Sequence, residues 1–242
     1  MQNTRRTKIF VGAMMLAAMT ATAYAGFASH TLHAYLAPAI LALAVATSRM
    51  KVKLPGINGN MSMNLPFLLT AIVTLSGAEA TAIAFASTAV QCWPKINAKL
   101  NAQQMAFNLS MMLFASSSAS LIIHSRVAYG AQPGVSTLQI VLTAVTLFLG
   151  QTVPVAGILA VSESKAVGPI WWSLAHLSFP YFVISAGMTT MVQAMSSHLG
   201  WGLALAVFPV MYGIHRSFRL YFAHLSETLP SQVFAKAAGA GA

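Results

Sequence analysis

The stretch Asn64–Trp93, NLPFLLTAIVTLSGAEATAIAFASTAVQCW, decides how this chain is counted. Read as one element, it is a single long helix. Read as two, it is a hairpin of short helices, 61–77 and 78–94, folded at the tetrad SGAE, Ser76 to Glu79. Each arm would hold about 17 residues and measure about 26 Å, at the short end for a bilayer crossing.

Similar apolar runs lie on both sides. Spans are predicted at 9–28, 31–48, 61–77, 78–94, 103–124, 137–161, 167–194 and 202–222. The whole chain is 57% hydrophobic and 7% charged, against roughly 25% charged in soluble domains. A barrel would instead show alternating segments of about 10 residues. The expected fold class is therefore all-α, a polytopic membrane helix bundle. Residues 1–228 form one membrane domain and 229–242 a short cytoplasmic tail.

The basic residues choose between the two readings of the opening stretch. With eight transmembrane helices and both termini cytoplasmic, twelve of the 13 Lys and Arg fall on the cytoplasmic side and only Arg126 falls outside. Merging spans three and four splits them seven to six. The positive-inside rule prefers eight. The same rule explains the net charge of +10 without nucleic acid, because the bases are scattered between apolar runs. The N-terminus resembles a signal peptide, with Arg5, Arg6 and Lys8 before an apolar run and small residues at Ala23 and Ala25. That run is about 20 residues, longer than a usual signal core, so a retained first helix is expected.

Just before the hairpin lies KLPGINGNMSMNLPFLL, Lys53–Leu69, rich in Pro, Gly and Asn. Such a segment breaks helices. Asn64 or Ser62 is expected to cap the third span, with Pro66 in its first turn. The stretch is either a plain interfacial connector or a closure over a polar site. Irregular backbone at membrane depth must be buried in protein or line a wet cavity.

Counting outward from the SGAE turn places Asn64 and Gln91 level on adjacent helices. Asn108, Gln151 and His176 fall in the same cytoplasmic-side layer, each from its own span. The candidate ligand-binding residues are therefore Asn58, Asn64, Glu79, Gln91, Asn108, Gln151 and His176. Asn, Gln and His also serve as interhelical hydrogen-bonding groups in membranes, so a structural role stands beside the binding one. Glu79, the one acid in a span region, is an ionisable group in the membrane and thus a functional candidate; it is equally placed to cap the start of span four.

Catalytic patterns are missing. The chain has no Asp, and its acids are Glu79, Glu163 and Glu227. There is no Gly-x-Ser-x-Gly and no evident Ser–His–acid set. The single Cys92 offers no disulfide or metal spacing. His30 and His33, three apart, lack companions for a metal site. The expectation is a non-enzyme with no metal site, and the sequence leaves any cofactor open.

Three patches carry a resemblance: residues 53–93, AFNLSMM at 106–112, and HLGWGLALAVFPVMYGIHRSFRLYFAHL at 198–225. Together they resemble the N-terminal multi-span sensor region of bacterial proteins, acidobacterial ones especially, that precedes HD-type phosphodiesterase, GGDEF-type cyclase or histidine-kinase domains. The resemblance implies a multi-pass protein of the bacterial inner membrane, sensing a ligand or a membrane partner. In such proteins a cytoplasmic output domain follows the last span. Here the chain passes Pro230 and stops at Ala242, so the expectation is an output domain that is missing, supplied by another polypeptide, or never present. The expected partners are the lipid bilayer and, in the second case, a separate cytoplasmic signalling protein or membrane subunit. The Pro/Gly loop, NLPFLL and acidic-tipped hairpin also resemble the membrane-embedded substrate-binding subunits of vitamin and metal uptake systems. A structural subunit of a membrane complex is a third reading.

Overall fold

The computed structural model describes the backbone of residues 2–27, 33–53, 60–94, 101–124 and 136–199, with nine helical positions between Pro209 and Tyr221. Seven helices are laid out among them: α1 (Gln2–Phe27), α2 (Leu36–Ser48), α3 (Leu65–Thr74), α4 (Gly77–Cys92), α5 (Ala102–His124), α6 (Thr137–Glu163) and α7 (Val167–Leu199). Each of the first seven predicted spans has its helix, in order. The described positions of the eighth are helical too.

The hairpin reading of the opening stretch holds. Leu75 and Ser76 are extended, at ψ 169 and 156, so the helix stops there and restarts at Gly77. Ser76 and Glu79 form a reciprocal capping box: Ser76 Oγ accepts from Glu79 N–H, and the Glu79 carboxylate accepts from Ser76 N–H at 3.1 Å. The break is therefore written into the sequence as a helix start signal.

The segment before the hairpin differs from the prediction. Lys51–Lys53 (β1) and Asn60–Ser62 (β2) pair antiparallel, with Val52 opposite Met61. Lys53 and Asn60–Ser62 of the helix-breaking stretch are thus paired strand rather than bare connector. Because β2 occupies the expected start of span three, α3 has only 10 residues, about 15 Å against a hydrocarbon core of about 30 Å. The expected cap also differs. Asn64 holds the N-cap position without a side-chain cap, because its amide turns to Ser87 Oγ at 3.4 Å. The Leu65 N–H at the helix start is met instead by the phenolic oxygen of Tyr181, at 3.3 Å.

Cross-helix contacts fix the directions. Phe10 stacks near Phe107 and Thr22 meets Ser117, so α1 and α5 are parallel. Leu65 meets Tyr181 and Thr70 meets Thr189, so α3 and α7 are parallel. Cys92 meets Asn108 while Thr81 meets Ser117, so α4 opposes α5. Thr152 meets Trp171 while Phe148 meets Phe179 and Phe182, so α6 opposes α7. His33, ahead of α2, meets Glu79, and Lys51, behind it, meets Gln91; α2 therefore runs with α4. Odd helices point one way and even helices the other. Arg5, Arg6, Lys8, Arg49, Lys51 and Lys165 consequently gather at one end of the bundle, where Lys165 pairs with Glu163 at 2.8 Å.

Its polarity is inside out relative to a soluble domain. Leu138, Val141, Val145, Leu149 and Val153 form an exposed apolar stripe along α6, while Ser87, Ser116, Ser117, Thr143 and Ser185 are buried without measurable exposure. Ser116 and Ser185 each donate to the carbonyl four residues back at 2.7 Å, while Ser117 meets Thr22 and Thr81 of neighbouring helices. Small polar residues at interfaces and apolar residues outside are what lipid selects. Three helices, Arg5–Phe27, Ala102–His124 and Thr137–Glu163, are long and apolar enough to cross a membrane. The whole reads as a membrane protein. α3 fits the same logic: Leu65 to Val73 are all buried, so this short helix is core rather than lipid-facing.

Candidate functional site

At the basic end of the bundle, the helices enclose a cavity of about 780 Å³. Its rim is made of helix ends: Thr7 of α1, Lys51 of β1, Trp93 after α4, Gln104 of α5 and Ser162 of α6. Its depth is set by α3. Because that helix starts late, Asn64 and Leu65 stand as part of the cavity wall instead of being covered by a further helical turn.

Four of the sequence-predicted residues come together here. Asn64, Gln91, Asn108 and Gln151 all line the cavity, each from a different helix or its cap. Asn64 and Gln91 share it as the hairpin count required. Three do not join them. His176 is exposed on α7; it lies two residues from both Leu174 and Ser178, which line the cavity, and two residues are about 200° around a helix. Glu79 is at the opposite end of α4. Its carboxylate accepts from His33 N–H at 2.6 Å and Ser76 Oγ at 2.9 Å, and lies 3.0 Å from His33 Nδ1. It is a cap and a tie to the segment before α2. Asn58 lies outside the described residues, as does Gly56.

The cavity also holds groups that composition did not single out. Tyr181 is 1% exposed and holds the start of α3. Ser178 and Thr152 add hydroxyls; Thr152 receives the Trp171 indole N–H at 3.2 Å. Thr88 is 2% exposed. Its signal in sequence was only its place one turn before Gln91 on α4. Apolar wall comes from Phe107, Met111, Met112, Leu174 and Phe182.

The polar inventory is unevenly satisfied. The Lys51 ammonium donates to the Gln91 carbonyl at 2.6 Å, covering the C-terminal end of α4. Asn108 Nδ2 reaches only the Cys92 sulfur, at 3.5 Å, and sulfur is a weak acceptor. Thr88 Oγ1 and Gln151 Nε2 are buried and have no hydrogen-bond partner among the described residues. Native interiors rarely leave such groups unpaired, since each costs about 1–3 kcal/mol. Two orphans lining one cavity mark a place where polar chemistry from outside the chain fits. Lys51 is the single charged side chain among the described lining residues. No group of three or more His, Cys or Glu that could hold a metal occurs among the described residues.

Comparison with known proteins finds no matching family model, no matching curated protein and no matching solved structure.

Proposed function

We propose that this protein is a ligand-binding membrane module of the bacterial sensor type, with eight crossings and both termini on the cytoplasmic side of the inner membrane. The observation that carries the binding part is the cavity with its two unpartnered polar atoms. A pocket of this size, in which polar groups from several helices converge beside an apolar wall, falls in the size range of small-molecule sites. The gathering of basic residues at one end supports the orientation, and in that orientation the cavity opens toward the cytoplasm. The signalling role rests on the resemblance carried by residues 53–93, 106–112 and 198–225.

The test uses the full chain in lipid nanodiscs. The small-molecule fraction of the host cell is added, and thermal unfolding is followed with and without it. A component that binds the cavity should raise the midpoint of the wild type and leave Val155→Phe unmoved, because Val155 lines the cavity and the larger ring fills it. Equal stabilisation of both proteins would place binding elsewhere and sink the reading.

A further inference from the structure

We propose that the cavity takes a small amphipathic anion, a carboxylate with an apolar body, entering from the basic end of the bundle. This rests on the cavity being a binding site and adds the chemical class of what it binds.

Charge decides the sign. No carboxylate stands among the described lining residues, whereas Lys51 places an ammonium at the rim. A cation drawn into this site would lose its water with no countercharge, which the interior penalises heavily. An anion meets the opposite conditions. Arg5, Arg6, Lys8 and Arg49 sit at the same end as Lys51, so the potential at the mouth is positive and concentrates anions there.

The short helix adds to this. α3 begins inside the protein with Asn64 and Leu65 in the cavity wall, so the positive end of its dipole faces the cavity. Half-helices that start at membrane depth are suited to holding anionic groups in this way. The negative end of α4 also borders the cavity, but Lys51 covers its Gln91 carbonyl.

The second, independent observation is the pair of unpartnered groups. Thr88 is 2% exposed and lines the cavity, and its hydroxyl has no partner among the described residues. It lies three residues before Gln91, about 4.5 Å along α4, from the carbonyl that Lys51 holds. A carboxylate between them receives the Lys51 ammonium and, once the Thr88 side chain turns about its Cα–Cβ bond, the Thr88 hydroxyl. Gln151, whose Nε2 also has no partner among the described residues, lines the same cavity from α6. The apolar body then lies against Phe107 and Phe182.

The chain has one cysteine, Cys92, and it lines the cavity. Its alkylation rate with N-ethylmaleimide therefore reports occupancy. The protein in nanodiscs is labelled in the presence of 3-phenylpropanoate, 3-phenylpropanamide or 3-phenylpropylammonium, which share a body and differ in head. The carboxylate should slow labelling at least fivefold at saturation, and the ammonium should leave it unchanged. Lys51→Gln should weaken protection by the carboxylate about tenfold, Thr88→Val severalfold, and Lys51→Arg should retain it. Protection by the amide or ammonium equal to the carboxylate would overturn the anion assignment and leave the cavity as a binding site. Labelling untouched by all three probes, in a protein whose Val155→Phe variant also labels at the wild-type rate, would overturn both.

Discussion

Gly150 of α6 packs closely against Ala115 of α5, one residue before the cavity amide of Gln151. A methyl group built on it would lie 2.9 Å from Ala115 Cβ and 3.0 Å from Ala115 Cα. Carbon atoms prefer about 3.5–4.0 Å, so the deficit is roughly 0.5–1 Å against backbone that cannot swing aside. Overpacking of this kind costs about 1–3 kcal/mol, while alanine regains up to about 1 kcal/mol of helix propensity. Gly150→Ala should therefore destabilise by about 1–2 kcal/mol. Gly187 on α7 is the internal control, since nothing lies within 4 Å of its added methyl; Gly187→Ala should be neutral or stabilise by up to about 1 kcal/mol. Gly157→Ala should fall between them, because the atom it meets, at 2.9 Å, belongs to the Phe10 ring, which can turn. Equilibrium unfolding in mixed micelles of rising dodecyl sulfate fraction, read by far-ultraviolet circular dichroism, ranks the three. If Gly150→Ala proves as stable as Gly187→Ala, the α5–α6 contact is not the close approach described and the reasoning fails.

Tyr181→Phe removes the acceptor of the buried Leu65 N–H and should cost about 1–3 kcal/mol in the same titration; no loss would mean that another group serves the start of α3. Glu79→Ala should cost more than Ser76→Ala, expected at about 1 kcal/mol, since it also releases His33; equal losses measured by the same unfolding would reduce Glu79 to a simple cap. Thr88→Val replaces an unpartnered hydroxyl by a methyl of similar size and should leave the ligand-free protein unchanged or slightly more stable, whereas a loss above about 1 kcal/mol would show that the hydroxyl is bonded. Cys92 belongs to the basic end, so in intact cells a membrane-permeant maleimide should label it and an impermeant one should not; labelling by both would reverse the orientation.

Much of this was legible because membrane proteins write their order in coarse signals. Apolar runs located the helices, the one-sided bases chose the hairpin reading, and Ser76 with Glu79 spelled out the break in capping chemistry. Depth was also legible: counting residues from that break brought Asn64 and Gln91 to one level, and the order of the spans put Asn108 and Gln151 in the same layer. Azimuth was not. His176 has the right depth, but which face of α7 turns inward depends on packing that an apolar, moment-poor helix does not display. The hairpin of Lys51–Lys53 and Asn60–Ser62 escaped because three-residue strands carry too little alternation to be seen beside Pro, Gly and Asn. Thr88, Ser178 and Tyr181 escaped for a different reason. Hydroxyls are scattered through every helix of this chain, most of them spent on their own backbone, so the few that face the cavity have no distinguishing sequence mark.

The two links between α3 and α7, Leu65 to Tyr181 and Thr70 to Thr189, have a mechanical side. Two parallel rods joined at two heights cannot slide past one another without parting a rung. The ten-residue rod has no membrane surface to anchor it at the cavity end, so it takes its axial position from the longer one. A displacement of α7 along the bundle axis is thus delivered to α3 as a push or a pull of the same size, moving the wall of the cavity as one piece.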